Sequence, residues 1–160
     1  MRGARREKGE QMKQRMTREK VRERARDLDL EAEVERIFAL AEVDLGLLKV
    51  TDDKNTKTIP YAFTSGRKTR TIFRLGFDSE EKDERLARLV VCFPFWARRQ
   101  NGPWTHGLEA LQKELLEGLA PFRTDKGGAQ EDMRLALAKS NVDQIMAAIC
   151  TIYNEVSENL

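Results

Sequence analysis

The chemistry that this sequence offers most clearly is phosphate binding by arginine. In residues 64–74, interpreted as a helix, Arg67, Arg70 and Arg74 stand at positions i, i+3 and i+7 and share one face. Each guanidinium can donate two parallel hydrogen bonds to phosphate oxygens, so such a stripe suits a nucleic-acid backbone. The alternative is a solvated face that pairs with the acidic residues between 78 and 84.

Further cations lie close to this stripe. Lys68 sits within it, in a Gly66-Arg67-Lys68-Thr69 run that resembles the end of a phosphate-binding P-loop, but Tyr61 stands where that motif needs a glycine. Arg98 and Arg99 follow an aromatic residue, and we expect them to extend the same positive track. The alternative for both is simple solvent exposure.

Residues that could support catalysis are sparse. His106 is the sole histidine, and no carboxylate or cysteine lies near it at metal-ligand spacing. Cys92 and Cys150 sit on apolar stretches, where thiols usually act as small hydrophobic side chains. Because catalysis needs several convergent titratable groups, the sequence predicts a protein that is not an enzyme and uses no metal or cofactor.

Apolar spacing predicts the elements that would hold these residues. Leucines and other apolar residues recur at helical intervals in residues 86–93, 108–119 and 142–156, and a short helix is predicted around 133–137. Gln100 to Pro103 would make the turn of a helical hairpin. The predicted fold class is all-α, a helical bundle of one or two small lobes with an N-terminal basic helical arm. Only a short strand pairing near residues 59–63 is allowed for.

Charge divides the chain unevenly. Residues 1–26 carry eleven basic side chains and four glutamates, net +7, whereas residues 27–160 carry 18 basic and 23 acidic side chains, net −5. We therefore predict a basic arm over 1–26, an N-terminal helical lobe over 27–100 and a C-terminal helical hairpin lobe over 101–160. Such an arm suits a polyanionic partner, or serves only as a solvated tail.

The sequence also bounds the cellular setting. No run approaches the roughly 20 apolar residues that span a membrane, and residues 1–26 lack the hydrophobic region of a secretory signal. Two thiols on apolar stretches suit a reducing compartment. We expect a cytoplasmic protein without membrane contact.

Residues 86–156 resemble the small helical subunit of CRISPR effector complexes of type I-E and type IV. The shared order is an apolar helix with an aromatic end, a Gly-containing turn, a His-Gly-Leu helix start, and the hairpin EDMRLALAKSNVDQIMAAI. The resemblance implies a noncatalytic subunit that grips the backbone of guide RNA or target DNA. It also implies contacts with other subunits and with further copies of the chain, and a nucleic-acid-binding role for Arg134.

Two other functions remain open from the residues alone. One is a plasmid or phage DNA-binding accessory protein that uses the basic arm as a clamp, and the other is a helical adaptor whose arm folds onto an acidic protein partner. The predicted nucleic-acid-binding residues are Arg67, Lys68, Arg70, Arg74, Arg98, Arg99 and Arg134.

Overall fold

The centre of the fold is a five-stranded antiparallel sheet, so the predicted all-α helical bundle is wrong. The computed structural model describes residues 15–50, 57–125, 127 and 132–160. The elements are α1 (Arg18–Asp27), α2 (Glu31–Ala39), β1 (Leu48–Lys49), β2 (Thr58–Ser65), β3 (Lys68–Phe77), β4 (Leu89–Phe93), α3 (Phe95–Asn101), α4 (His106–Gly118), β5 (Met133–Ala136) and α5 (Val142–Asn159). A π-helical turn (Leu40–Asp44) continues α2, and a 3-10 turn (Ala120–Phe122) follows α4.

The strands follow one another across the sheet in the order β1-β2-β3-β4-β5, and every neighbouring pair is antiparallel. Ser65 pairs with Lys68, which leaves Gly66 and Arg67 as a two-residue turn between β2 and β3. Gly66 has a φ of 61°, the positive value that the first position of a type II′ hairpin turn requires. Residues 64–74, predicted as a helix, are therefore the two sides of a hairpin.

Two further predicted helices are strands. Residues 89–93 read Leu-Val-Val-Cys-Phe, and all but Cys92 are buried, because β4 lies between β3 and β5. A short apolar run of this length fits a fully buried strand as well as a helix. In β5, buried and half-buried residues alternate, the pattern of a strand with one covered face. The helices predicted over 108–119 and 142–156 are confirmed as α4 and α5.

Helices cover the face of the sheet that carries Tyr61 and Phe73. These two rings stack with their centroids 5.1 Å apart, and Phe63 meets Tyr153 of α5 edge-on at 5.6 Å. The Tyr61 hydroxyl donates a hydrogen bond of 2.8 Å to Glu42, in the π-helical turn after α2. The hydrophobic core therefore lies between the sheet and the helices.

α1 belongs to this core. Val21 and Ala25 are fully buried, and the Arg24 Nε donates a hydrogen bond of 2.7 Å to the Ala87 carbonyl. One cluster of buried apolar side chains includes residues from Met16 to Val156. Residues 18–26 of the predicted arm thus pack as part of the folded body, and residues 1–14 lie outside the described residues.

β3 extends beyond its neighbour β4. β4 pairs only with Arg74–Phe77, so residues 68–73 of β3 pair with β2 alone. A β-bulge at Ile72 shifts the register within this part of the strand. α3 begins two residues after β4 ends and packs beside the extension. Within the described part of the chain, no helix is both long enough and apolar enough to cross a membrane.

Candidate anion-binding pocket

A pocket of about 230 Å³ lies where β3 runs past the end of β4. Three of its lining residues are arginines: Arg70 and Arg74 come from β3, and Arg98 comes from α3. Asp132, which directly precedes β5, is the carboxylate among the described lining residues. The other lining residues are Thr69, Thr71, Pro94, Ala97, Asn101 and Gly102.

Arg98 is a buried cation in this pocket. It is 2% exposed, and its guanidinium donates a hydrogen bond to the Thr71 carbonyl, in the part of β3 that β4 does not pair. Its Nε is buried and has no hydrogen-bond partner in the part of the chain that the structure describes. Among the described residues, no carboxylate forms an ion pair with Arg98. Burying an ionised group is costly unless an opposite charge accompanies it, so this position favours an anion.

Arg70 joins the strand to the helix. One guanidinium nitrogen donates to the Asn101 carbonyl at 2.9 Å, at the end of α3, and another donates to the Thr69 carbonyl at 3.1 Å. Carbonyls in the last turn of a helix have no partner within the helix, and a side-chain donor satisfies one of them here. The Arg70 Nε is also buried, and no described residue accepts a hydrogen bond from it. Arg70 therefore holds α3 against β3 through the Asn101 carbonyl, and its Nε remains a donor for a ligand.

Asp132 positions the start of α3. Its Oδ1 accepts hydrogen bonds from the backbone amides of Trp96 at 2.9 Å and Ala97 at 3.4 Å. Burial raises the pKa of Asp132, although these amides and the nearby cations of Arg74 and Arg98 oppose the change. The carboxylate thus ties the segment before β5 to the helix that carries Arg98.

Burial also acts on the arginine charge. It lowers the pKa of Arg98 to about 10; the Asp132 carboxylate opposes this change, and the neighbouring Arg70 guanidinium adds to it. A pKa of about 10 leaves Arg98 charged at neutral pH. The pocket therefore holds a cation that the protein has only partly compensated.

Arg74 and Arg134 lie in one cross-strand row, in which Arg74 pairs with Cys92 and Cys92 pairs with Arg134. Only Arg74 lines the pocket. The Arg134 guanidinium lies 3.5 Å from Asp78 and 3.2 Å from Glu80, and 17% of its side chain is exposed. Burial raises the pKa of Cys92 to about 12, so the thiol between the two arginines stays protonated.

The remaining predicted site residues are exposed. Arg67 and Lys68 form the tip of the β2–β3 hairpin, directly before Thr69 of the pocket. Arg99 stacks over Trp104, with 4.5 Å between its guanidinium carbon and the ring centroid, and donates a hydrogen bond of 2.8 Å to Gln112. Arg99 therefore lies on α3 beside the pocket without lining it.

The structure thus brings together some of the predicted residues in a way that differs from the prediction. A helical stripe of Arg67, Arg70 and Arg74 does not exist, because these residues lie on a hairpin. Arg70, Arg74 and Arg98 converge instead on one pocket. Sequence reasoning missed Asp132, and no local pattern links it to amides 36 residues away.

Cations of α1 are largely occupied by carboxylates of the same chain. Arg18 pairs with Glu42 at 2.8 Å and Arg22 pairs with Glu35 at 2.5 Å. Arg24 and Arg26 lie 3.6 Å and 3.9 Å from Asp27 and Glu31, respectively. This half of the predicted arm therefore offers little free positive charge, and its other half, residues 1–14, lies outside the described residues.

The described residues contain no group of three or more histidine, cysteine and acidic side chains arranged to hold a metal ion. No protein-family model, curated protein or solved structure matches this chain. The pocket is therefore interpreted from its own geometry and charge.

Proposed function

We propose that the protein is a noncatalytic binder of the nucleic-acid phosphate backbone, which it contacts through the β2–β3 hairpin tip and the arginine-lined pocket. One observation carries the proposal: exposed Arg67 and Lys68 lead along the strand into a pocket that three arginines line. A nucleic acid carries one negative charge per phosphate, so a row of phosphates suits a track of separated cations. Contacts of this kind position the nucleic acid without reading its sequence.

A finer hypothesis is that the bound nucleic acid is the guide RNA or target DNA of a cytoplasmic CRISPR effector complex, with other subunits and further copies of this chain as partners. The helical order that suggested it is not present, since residues 89–93 and 133–136 are strands. The hypothesis now depends on backbone binding alone. Co-purification with RNA and with further protein subunits from the native host would support it.

Replacement of the hairpin tip tests the proposal. The double variant Arg67→Ala/Lys68→Ala should bind unrelated single- and double-stranded sequences more weakly and by a similar factor. It should also reduce the slope of log affinity against log salt by about 2, because two phosphate contacts release their counterions. Fluorescence anisotropy with labelled oligonucleotides at several salt concentrations measures both quantities.

The matched control is Lys82→Ala/Lys113→Ala, which removes two exposed lysines away from the hairpin and changes the net charge equally. We expect it to alter the slope by much less than the hairpin variant does. Equal effects of the two double variants would show that only net charge matters. A parent protein that binds no nucleic acid at low salt would overturn the proposal.

A further inference from the structure

The charge of the pocket favours one kind of phosphate group. Three guanidinium groups, those of Arg70, Arg74 and Arg98, line the described part of the pocket beside one carboxylate, that of Asp132. A phosphodiester within a strand carries one negative charge, whereas a phosphate monoester carries about 1.5 to 2 at pH 7 and presents three strong acceptor oxygens. With its greater negative charge and its additional acceptor oxygen, a monoester suits a pocket lined by three guanidinium groups better than an internal phosphate does.

The donors of the pocket also suit a monoester. Arg98 is nearly fully buried. Among the described residues, it forms no ion pair with a carboxylate, and neither its Nε nor that of Arg70 has a hydrogen-bond partner. Hydrogen bonds between guanidinium groups and phosphate oxygens are among the stronger ones in proteins. A group with three acceptor oxygens can receive donors from several guanidinium groups at once.

The hairpin tip indicates where such a monoester would come from. Arg67 and Lys68 directly precede Thr69, which lines the pocket, and both are exposed. A free phosphate ion would use the pocket alone, whereas a strand that ends in the pocket would pass its next phosphates over the tip. The arrangement thus fits the end of a nucleic-acid strand.

We propose that the pocket binds the terminal phosphate monoester of a nucleic-acid strand, with Arg70, Arg74 and Arg98 as its ligands and the hairpin tip on the adjoining backbone. This inference rests on the proposed backbone binding and adds a preference for phosphorylated strand ends. Asp132 keeps α3, and with it Arg98, in position through its bonds to the amides of Trp96 and Ala97.

The test compares short single strands of one sequence that carry a 5′ phosphate, a 3′ phosphate or hydroxyls at both ends, each labelled internally. We expect at least one phosphorylated strand to bind about tenfold more tightly than the strand with hydroxyl ends, the ratio expected of one well-made charged contact. Arg98→Met should bring this ratio close to one. Circular dichroism checks that the variant is folded.

A second variant tests the pocket without removing a charge. A Cβ on Gly102 would lie 3.6 Å from the Arg70 Nε and 3.4 Å from the Arg98 Cα, and the backbone there is extended, so Gly102→Leu directs a side chain toward these arginines. This variant should also lose the preference for a phosphorylated end. In contrast, Arg67→Ala/Lys68→Ala should weaken all strands and keep the ratio.

The outcomes separate the two proposals. Equal binding of all strands by the parent, with weakening in the hairpin variant, would overturn the terminal-phosphate site and leave backbone binding intact. Inorganic phosphate or a mononucleotide that binds as tightly as the phosphorylated strand would overturn the strand-end assignment. Failure of the parent to bind any strand would overturn both.

Discussion

Two buried residues, Arg98 and Tyr61, carry polar groups that serve different purposes in this protein. Arg98 and Tyr61 are both almost inaccessible to solvent, yet each carries a group that prefers water. The Tyr61 hydroxyl has a definite partner, because it donates to Glu42, whose other oxygen accepts from Arg18 at 2.8 Å. Within the described part of the chain, the Arg98 guanidinium donates a hydrogen bond only to the Thr71 carbonyl. The Tyr61 hydroxyl therefore stabilises the fold, whereas the Arg98 guanidinium is the best candidate for contact with a ligand.

Tyr61 gives the protein a defined dependence on pH. Burial, and then the hydrogen bond to Glu42, raises the pKa of Tyr61 above its ordinary value of 10.0. Below pH 10 both the folded and the unfolded protein keep the phenol protonated. Above it, the unfolded chain loses the proton while the folded protein does not, so stability falls by up to about 1.4 kcal/mol per pH unit from this group.

The variant Tyr61→Phe isolates this effect. At pH 7 the free energy of unfolding of the parent should exceed that of the variant by about 1 kcal/mol. The variant loses a hydrogen bond to a charged acceptor, and this loss is partly offset because the variant no longer buries a hydroxyl group. Between pH 10 and 11.5 this difference should shrink and reverse. Urea unfolding at each pH measures it. Phe73→Leu, which alters the stacked partner ring, should lower stability by a similar amount at every pH. A constant difference for Tyr61→Phe would contradict the assignment.

At the residue scale, the sequence indicated the cations but not their arrangement. Arg70, Arg74 and Arg98 were expected at a phosphate site because of their residue type, and all three line the pocket. Their geometry depends on a hairpin and on the overhang of β3 past β4, which are long-range features. Asp132 reaches the amide of Trp96 from a distant part of the chain, and spacing along the sequence cannot show such a contact.

At the scale of elements, short apolar runs explain where the prediction failed. The leucine and valine positions of residues 86–93 fit the helical intervals, but only five residues form β4. In a run this short, periodicity cannot distinguish a helix from a strand, and the two neighbouring β-branched valines favour a strand. The longer segments that became α4 and α5 supply several turns of consistent spacing, so their helical nature could be predicted.

Gly76 sets the approach of β2 to β3. A Cβ at this position would lie 2.2 Å from the Lys57 carbonyl oxygen and 2.6 Å from the Thr58 Cα, both of which belong to the backbone. Gly76→Ala should therefore lower the free energy of unfolding by about 3 kcal/mol, because the strands must move apart. Chemical denaturation followed by circular dichroism measures the change.

The matched control is Gly118→Ala, at the last residue of α4, where a Cβ would meet nothing within 4 Å. This substitution should be neutral or stabilise the protein by up to about 1 kcal/mol, since alanine favours a helix more than glycine does. Similar losses in free energy of unfolding at both positions would show that the contact between Gly76 and β2 does not determine how closely β2 approaches β3.

At the scale of the whole molecule, the sheet and its helices share one core. The cluster of buried apolar side chains takes members from α1, from strands of the sheet and from α5. Charge separates residues 1–26 from the remainder of the sequence, yet packing unites α1 with the other elements, because Val21 and Ala25 are fully buried. Composition predicts where charge lies, and it does not show which helix face finds a partner.

A substitution in α1 can show whether this helix unfolds together with the rest of the core. Val21→Ala removes two methyl groups from a fully buried position and should cost about 1–3 kcal/mol. Both tryptophans, Trp96 and Trp104, lie in the segment around α3, far from α1 along the chain. If the described body unfolds as one unit, tryptophan fluorescence and far-ultraviolet circular dichroism should report the same lowered midpoint.

The control Glu23→Ala changes an exposed position of the same helix and should leave both midpoints nearly unchanged. A fluorescence midpoint that stays at the parent value while the dichroism midpoint falls would show that α1 and the segment around α3 unfold independently, and would support a division of the chain into separate lobes.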